Sequence, residues 1–131
     1  MKLFFSLLSL VIMTTTAETC KKNKAPLPEG CYKGKLEVKG GCMNYTISII
    51  GGNIDSSKLV TSWTDETTGK SYKNAFGLGS RCTFPNRINE GDEFYFTLDS
   101  TTVQDCSVCL MYYPTPEKKL SIKVLDQPCT Q

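Results

Sequence analysis

The sequence predicts a single, small all-β domain: one antiparallel β-sandwich or barrel of seven or eight strands, stapled by disulfide bonds. From residue 31 onward, short runs of alternating apolar and polar residues recur about every ten residues, which is the pattern of half-buried strands. After residue 17, no run of ten or more residues has the period of a helix. The chain has 131 residues and seven cysteines, a length that suits one domain and benefits from disulfide support.

Seven segments carry the strand pattern. In the second, Tyr45, Ile47 and Ile49 fall on one face, because successive side chains of a strand point to opposite faces. In the fifth, Phe94 and Phe96 share a face for the same reason. The predicted strands span residues 36–38, 45–49, 59–63, 72–76, 93–98, 108–113 and 120–125.

The segments between these runs contain residues that are typical of turns. The two glycines at 40–41 predict a tight hairpin between the first two strands. Residues 65–70, which include Gly69, predict a longer hairpin. The two prolines within residues 114–118 predict a chain reversal before the last strand, because proline cannot donate a ladder hydrogen bond.

The first 17 residues have the pattern of a secretory signal peptide. Lys2 is followed by an apolar run at 3–13 and by small residues at 14–17. The apolar run is shorter than the roughly 18–20 residues that span a bilayer, and the alternative is a buried N-terminal helix or strand. We therefore expect an exported protein with a signal peptide at 1–17, a flexible polar tether at 18–30 and a β domain at 31–131.

The charge of the chain gives no indication of a nucleic-acid partner. The formal net charge is +2, and Lys2 is the only charged residue of the first 17, so the remainder carries +1. A balance this close to neutral produces no strong field for a polyanion. We expect neither a nucleic-acid partner nor a membrane span.

Cys20 stands apart from the other cysteines. It follows the signal directly and begins a polar, basic stretch, with Cys-Lys-Lys-Asn at 20–23, which should be extended. With these features, the chain resembles short exported proteins of Bacteroidetes-type bacteria, which are often lipoproteins. The resemblance covers about a fifth of the chain and implies a lipid anchor on Cys20. The alternative is plain secretion after cleavage behind Ala17, because Thr19 stands where lipoprotein signals place Gly, Ala or Ser.

Six cysteines remain for three disulfide bonds, and they allow 15 pairings. A tight hairpin at 40–41 would separate Cys31 from Cys42 by roughly 25–30 Å, whereas a disulfide needs Cα atoms within about 7 Å. A bond between Cys106 and Cys109 is also excluded, because these side chains would point to opposite faces of a strand. Ten pairings stay open, and the two end cysteines are expected to bond to the middle of the chain. The candidates are Cys31, Cys42, Cys82, Cys106, Cys109 and Cys129.

The indications of catalytic or metal chemistry are weak. Cys106 and Cys109 form a C-x-x-C motif, which in a redox protein begins a helix, but here it leads into a predicted strand. The chain has no histidine, so the commonest general base and metal ligand is missing. The acidic residues at 90–93 lack the spacing of a calcium loop. We expect no cofactor, no metal and no enzymatic activity.

The best functional lead is a set of aromatic residues that can form a binding surface for a protein or a glycan. The alternative is that these residues belong to the core and the sheet edges. Residues 112 and 113 are adjacent tyrosines, so one of them must point away from the core. The candidate binding aromatics are Trp63, Tyr72, Tyr95, Tyr112 and Tyr113.

These observations favour a non-enzymatic binding or structural module that is secreted or anchored to the cell envelope. One alternative is a secreted, disulfide-stapled inhibitor or effector, which needs a protruding loop supported by a disulfide, and residues 64–71 and 77–92 are the candidate loops. Another alternative is a thiol-redox protein of the envelope, which needs Cys106 and Cys109 in the reduced form.

Overall fold

The computed structural model describes residues 25–101 and 103–130, and within them the chain is built from strands. Three 3-10 turns of three residues each are the helical elements of these ranges, and no described helix could cross a membrane. The predicted all-β fold is confirmed. The predicted signal peptide, Cys20 and the first part of the tether lie outside the described residues. The strands are β1 Tyr32–Lys39, β2 Tyr45–Gly51, β3 Val60–Thr64, β4 Ser71–Leu78, β5 Glu93–Leu98, β6 Lys119–Leu120 and β7 Ile122–Leu125.

The predicted strand at 108–113 is wrong. These residues pair with no strand of the described ranges, and Leu110, Met111 and Tyr112 are exposed. A continuous apolar run is the pattern of a buried strand, but a strand also needs a sheet edge as its partner. The disulfide bond from Cys109 to Cys42 instead fixes this segment to the turn between β1 and β2. The number of strands stays at seven because the last predicted strand is divided at Ser121.

One sheet contains all seven strands. Its neighbours run in the order β3-β4-β2-β1-β5-β7, and β6 lies beside β4. The pairs along this order are antiparallel, as predicted. β6 adds a short parallel pairing in which Leu78 faces Leu120. Residues 119–125 thus pair first with β4 and then with β5. The path from β4 through β2, β1, β5 and β7 therefore returns to β4 through the chain itself, which connects β6 and β7 at Ser121.

The core contains many aromatic rings. Leu36, Ile47 and Phe76 come from three neighbouring strands and are fully buried, and Phe96 and Ile122 continue the same layer. The ring centroids of Phe76 and Phe96 are 6.0 Å apart, within the range of favourable ring contacts. Each fully buried side chain of this kind contributes about 1.5–3 kcal/mol. The core comprises Leu36, Tyr45, Ile47, Leu59, Phe76, Leu78, Phe84, Ile88, Phe94, Phe96 and Ile122.

The connection between β1 and β2 is longer than the predicted two-residue hairpin. Lys39 faces Tyr45 in the ladder, so five residues form the loop. Gly40 has a φ of −68°, which any residue can adopt, so its missing side chain serves close packing. A Cβ there would lie 2.5 Å from the Asn44 carbonyl oxygen and 2.7 Å from the Tyr113 ring. The glycines therefore indicated a turn correctly, but they leave room for a neighbouring segment rather than form a tight reversal.

Residues 115–118 pack against Gly77 of β4, where an added Cβ would lie 3.1 Å from the Pro116 carbonyl oxygen. Pro116 is fully buried, and the Gly77 N–H donates to the Lys118 carbonyl oxygen over 2.8 Å. Thr46, whose side chain lies on the opposite face of β2 from the core, is buried as well. The proline-containing segment therefore contacts β4 before it pairs with that strand as β6.

Candidate functional site

Three disulfide bonds connect the six cysteines of the domain, and they avoid both bonds that the sequence excluded. The prediction that the two end cysteines bond to the middle is wrong, because they bond to each other. β5 lies between β1 and β7, and Tyr32 at the start of β1 and Val124 near the end of β7 both pair with Phe96. This register sets the start of β1 and the end of β7 at the same level beside β5. The bonds are Cys31–Cys129, Cys42–Cys109 and Cys82–Cys106, with Cα–Cα distances of 6.4, 5.2 and 5.5 Å.

The C-x-x-C cysteines each form a separate, long-range bond. Cys106 is bonded to Cys82, which lies in the 3-10 turn that follows β4, and Cys109 is bonded to Cys42 in the turn between β1 and β2. The redox hypothesis requires both thiols in the reduced form. The observed bonds instead give both cysteines a structural role, in which they link one segment to two separate turns.

These two bonds hold an exposed segment, residues 103–112, which we call the bridged loop. Two side chains fix it further. The Asn44 Nδ2 group donates to the Met111 carbonyl oxygen over 2.9 Å. The Cys82 N–H donates to the Gln104 Oε1 atom over 3.0 Å. The bridged loop is thus held by covalent bonds and hydrogen bonds at its base, without a strand ladder.

The turn beneath the bridged loop has a strained backbone. Cys42 and Met43 have φ values of 55° and 58°, in the left-handed region that costs a residue with a Cβ roughly 1–2 kcal/mol. The bond from Cys42 to Cys109 ties this turn to the loop. A Cβ on Gly41 would lie 2.6 Å from the Met111 sulfur, so the two segments are in direct contact. Strained residues of this kind persist where their surroundings determine them, and they cluster at binding sites.

The tip of the bridged loop is apolar and exposed to solvent. Leu110 is fully exposed, and the exposed fractions of Met111 and Tyr112 are 64% and 79%. Val103, at the start of the loop, is exposed as well. Elsewhere in the described ranges, Ile50 is the one large hydrophobic residue in this class. A concentration of exposed apolar side chains on one segment is typical of an interaction site, whereas single exposed residues are normal.

The five predicted binding aromatics do not form a single platform. Trp63 and Tyr72 face each other across β3 and β4, and their rings stack with centroids 6.1 Å apart. Tyr95 lies on β5, half-buried. Tyr112 belongs to the bridged loop, and Tyr113 is half-buried beside the turn between β1 and β2. Of the five, Tyr112 is therefore the one whose side chain is mostly exposed and can contact a partner.

Tyr113 connects the end of the bridged loop to the predicted hairpin at 65–70, which the structure confirms. Its hydroxyl donates to Asp65 Oδ2 over 3.0 Å, and the Thr67 N–H donates to Asp65 Oδ1 over 2.8 Å. Asp65 is fully buried. Burial alone would raise the pKa of this carboxyl, but the hydrogen bonds outweigh burial and hold the pKa below its usual value. The loop therefore adjoins an ionised carboxylate that is bonded to two donors.

The tyrosines around this carboxylate are held in the protonated form. Burial raises the pKa of Tyr113, and the Asp65 carboxylate raises it further. Burial also raises the pKa of Tyr72, with additional contributions from the negative charges of Glu37 and Asp65. Both phenols thus remain neutral, and that of Tyr113 is a donor.

The acidic residues at 90–93 serve the chain's own turns. Glu90 Oε2 accepts a hydrogen bond from the Lys39 N–H over 3.0 Å, and Asp92 Oδ2 accepts one from the Asn89 N–H over 2.8 Å. Within residues 25–101 and 103–130, no three acidic, cysteine or histidine side chains are grouped so that they could hold a metal ion. These carboxylates stabilise the turn that leads into β5.

Comparison with known proteins gave no match. No protein-family model matches the chain. Neither the curated proteins nor the solved structures contain a significant match.

The sequence identified the cysteines and Tyr112 but not the loop that joins them. The bridge-supported apolar loop lies outside both segments, 64–71 and 77–92, that the sequence suggested for this role. One signal for it was present. Cys106 and Cys109 are three residues apart, so in a strand they would point to opposite faces, and an irregular backbone is the simpler way for both sulfurs to form bonds.

Proposed function

We propose that this chain is an exported, non-enzymatic binding module that contacts a partner protein with the bridged loop. The observation that carries this proposal is Leu110, which is fully exposed and directly follows the disulfide-bonded Cys109. A leucine left in water forgoes about 1.5–3 kcal/mol of burial. That free energy becomes available when a partner covers the side chain.

The disulfides of the loop support this role. Binding is weakened by the entropy lost when a flexible segment becomes ordered, and constraints that exist before binding reduce this loss. Cys106 and Cys109 supply two such constraints on either side of the loop centre. Methionine and tyrosine, which follow Leu110, are also enriched at protein interfaces.

The apolar tip favours a protein over a glycan as the partner. A sugar-binding platform needs an aromatic face that is open to the ligand, but the Trp63 ring is half-buried and stacked on Tyr72. Tyr112 is exposed, but its neighbours Leu110 and Met111 are aliphatic. Such a tip matches an apolar pocket in a protein.

A photo-crosslinking amino acid at position 110 tests this proposal, with position 50 as the matched exposed control. We expect a discrete crosslinked product from position 110 in the medium or envelope of the source cells, and none from position 50. Unlabelled wild-type protein should compete with this crosslink when it is added in excess. Added Leu110→Ser protein should fail to compete, whereas added Ile50→Ser protein should compete as well as wild type. Both variants should keep the wild-type melting temperature because both side chains are exposed. Equal products from the two positions would contradict the proposal.

Export is part of the proposal, and the three disulfides are compatible with it because such bonds persist in oxidising compartments. The signal at 1–17 would deliver the chain there, and the mature protein would be either secreted or held by a lipid on Cys20. Intact mass of the exported protein separates these forms. A mature chain that begins at Glu18 indicates secretion, and one that begins at acylated Cys20 indicates an anchor. A chain that retains residues 1–17 in native cells would contradict export.

A second candidate function is inhibition of a protease. The observation that favours it is the peptide bond between Leu110 and Met111, which is exposed next to a disulfide-bonded cysteine. The test is incubation with serine proteases that cleave after leucine or tyrosine. Tight inhibition with slow cleavage, lost in Leu110→Gly, would support this function. Rapid cleavage of the loop or full residual protease activity would contradict it.

A further inference from the structure

β3 is an edge strand that lacks the usual protection of such edges. It pairs with β4 and with no other strand of the described ranges. Its residues Thr61, Ser62 and Thr64 are exposed. The strand contains no charged residue and no proline, and its pairing with β4 shows no register shift. Natural proteins normally place charged residues, prolines or bulges on an edge strand, because an unprotected edge is a template for pairing with another strand.

The strand at the other end of the sheet order differs in these respects. β7 has four residues and carries the exposed Lys123 near its centre. Pro128 follows it closely. A charge and a nearby proline are the features that discourage pairing with another chain. The contrast shows that the lack of protection is specific to β3.

Two contacts determine which main-chain groups of β3 face outward. The Asp65 N–H donates to the Lys70 carbonyl oxygen over 2.8 Å, across the hairpin towards β4. The Leu59 carbonyl oxygen accepts from Lys118 Nζ over 3.0 Å, on the side of β4 and β6. Main-chain groups of an antiparallel strand alternate between its two neighbours. The residues at odd positions therefore face β4, and those at even positions face solvent.

We propose that two copies of the chain form a dimer in which β3 pairs with β3 in antiparallel orientation, about a twofold axis at Ser62. This register sets Ser62 opposite its own copy and Val60 opposite Thr64 of the second copy. All three outward-facing positions then form hydrogen-bonded pairs. A shift of one residue would set outward groups against groups that already face β4.

The charges beside β3 favour a second copy over an unrelated strand. Lys58 ends the 3-10 turn before the strand and Glu66 lies in the turn after it, and both are exposed. Antiparallel pairing about Ser62 brings the end of β3 that carries Lys58 beside the end that carries Glu66 in the other copy, and the twofold axis repeats this contact. Opposite charges that meet across an interface favour it, and like charges disfavour it. The same register sets Thr61 opposite Trp63, a favourable β-branched and aromatic pair.

Sedimentation velocity of the full chain, exported and oxidised, tests the dimer. We expect a reversible monomer–dimer equilibrium. Lys58→Glu and Glu66→Lys each create two like-charge contacts and should raise the dimer Kd about three- to thirtyfold. The double variant exchanges the charges and should restore the wild-type Kd. Lys123→Glu is the matched control on β7 and should leave the Kd unchanged.

Three results would overturn this inference. The first is a wild-type chain that stays monomeric up to about 1 mM, where even a weak dimer forms. The second is a dimer that neither single charge reversal affects. The third is a double variant that remains as weak as the single variants, since restoration is expected when the Lys58 end of one copy lies beside the Glu66 end of the other. The bridged loop takes no part in the test, so its own function can fail independently.

Discussion

The hydrogen bond from Tyr113 to Asp65 makes the stability of the domain depend on pH. The folded-state pKa of Asp65 is lowered, so its stabilisation is complete above the pKa of an unfolded aspartate, about 3.9. This stabilisation is lost as the pH falls through the folded-state value. Tyr113→Phe removes one donor, so we expect a lower free energy of unfolding at pH 7. Denaturant titrations across pH should show the difference from wild type shrinking below about pH 4.

The contribution of Tyr113 to stability should also be lost at alkaline pH. The folded-state pKa of Tyr113 is raised, so its contribution is present below about pH 10 and is lost as the pH rises through the folded-state value. Tyr112→Phe alters the exposed neighbour and should leave the free energy of unfolding unchanged at every pH. A pH-independent difference between Tyr113→Phe and wild type would show that the carboxylate does not mediate the effect.

Two adjacent glycines should respond differently to alanine. In Gly40→Ala the new Cβ meets the backbone oxygen of Asn44, which cannot move away, so we expect a loss of about 1–3 kcal/mol in the free energy of unfolding. In Gly41→Ala the new Cβ meets the sulfur of Met111, the end of a flexible side chain on an exposed loop. Its cost should stay below about 1 kcal/mol. Chemical denaturation measures both, and equal losses would contradict the packing argument.

At the scale of elements, the disulfides should differ in their contributions. Cys31 and Cys129 are separated by 98 residues, and Cys82 and Cys106 by 24. A longer closed loop restricts the unfolded chain more, so alanine replacement of the first pair should cost about 1 kcal/mol more than that of the second. Loss of the Cys82–Cys106 bond should also raise hydrogen exchange in the bridged loop by more than the loss of global stability raises it in the sheet. An equal rise in the loop and the sheet would contradict this local role.

The sequence predicted most strands because a half-buried strand leaves a period of two in the chain. The alternation of Phe94 and Phe96 in β5 is a clear case, and both residues are buried as expected. The segment at 108–113 failed because an apolar run does not reveal whether a sheet edge is available to it. The turn at 40–41 failed for a related reason. Gly40 lacks a side chain because Asn44 and Tyr113 pack against it, and Tyr113 is distant in sequence.

At the scale of the whole molecule, the cysteine pairing could not be predicted because it depends on strand order. The bonds Cys31–Cys42 and Cys106–Cys109 were excluded correctly, since the geometry of a short, local stretch of chain was enough to exclude each of them. The Cys31–Cys129 bond follows from the position of β5 between β1 and β7 and from their register, in which Tyr32 and Val124 both pair with Phe96. Nothing local in the sequence specifies that order or that register. The position of the candidate site could not be predicted either, because it also depends on contacts between distant residues. Tyr112 was named from its residue type, but its exposure depends on where the two bridges hold the loop.

The length of β1 separates two of the disulfide bonds. The bond between the two ends of the domain lies before its first residue, at Cys31, and the bond that carries the bridged loop lies beyond its last, at Cys42. Eight extended residues span roughly 26 Å. In a copy tethered to a membrane by the residues before Cys31, the bridged loop would therefore be bonded at the end of β1 that is remote from the tether, where a protein from outside can reach Leu110.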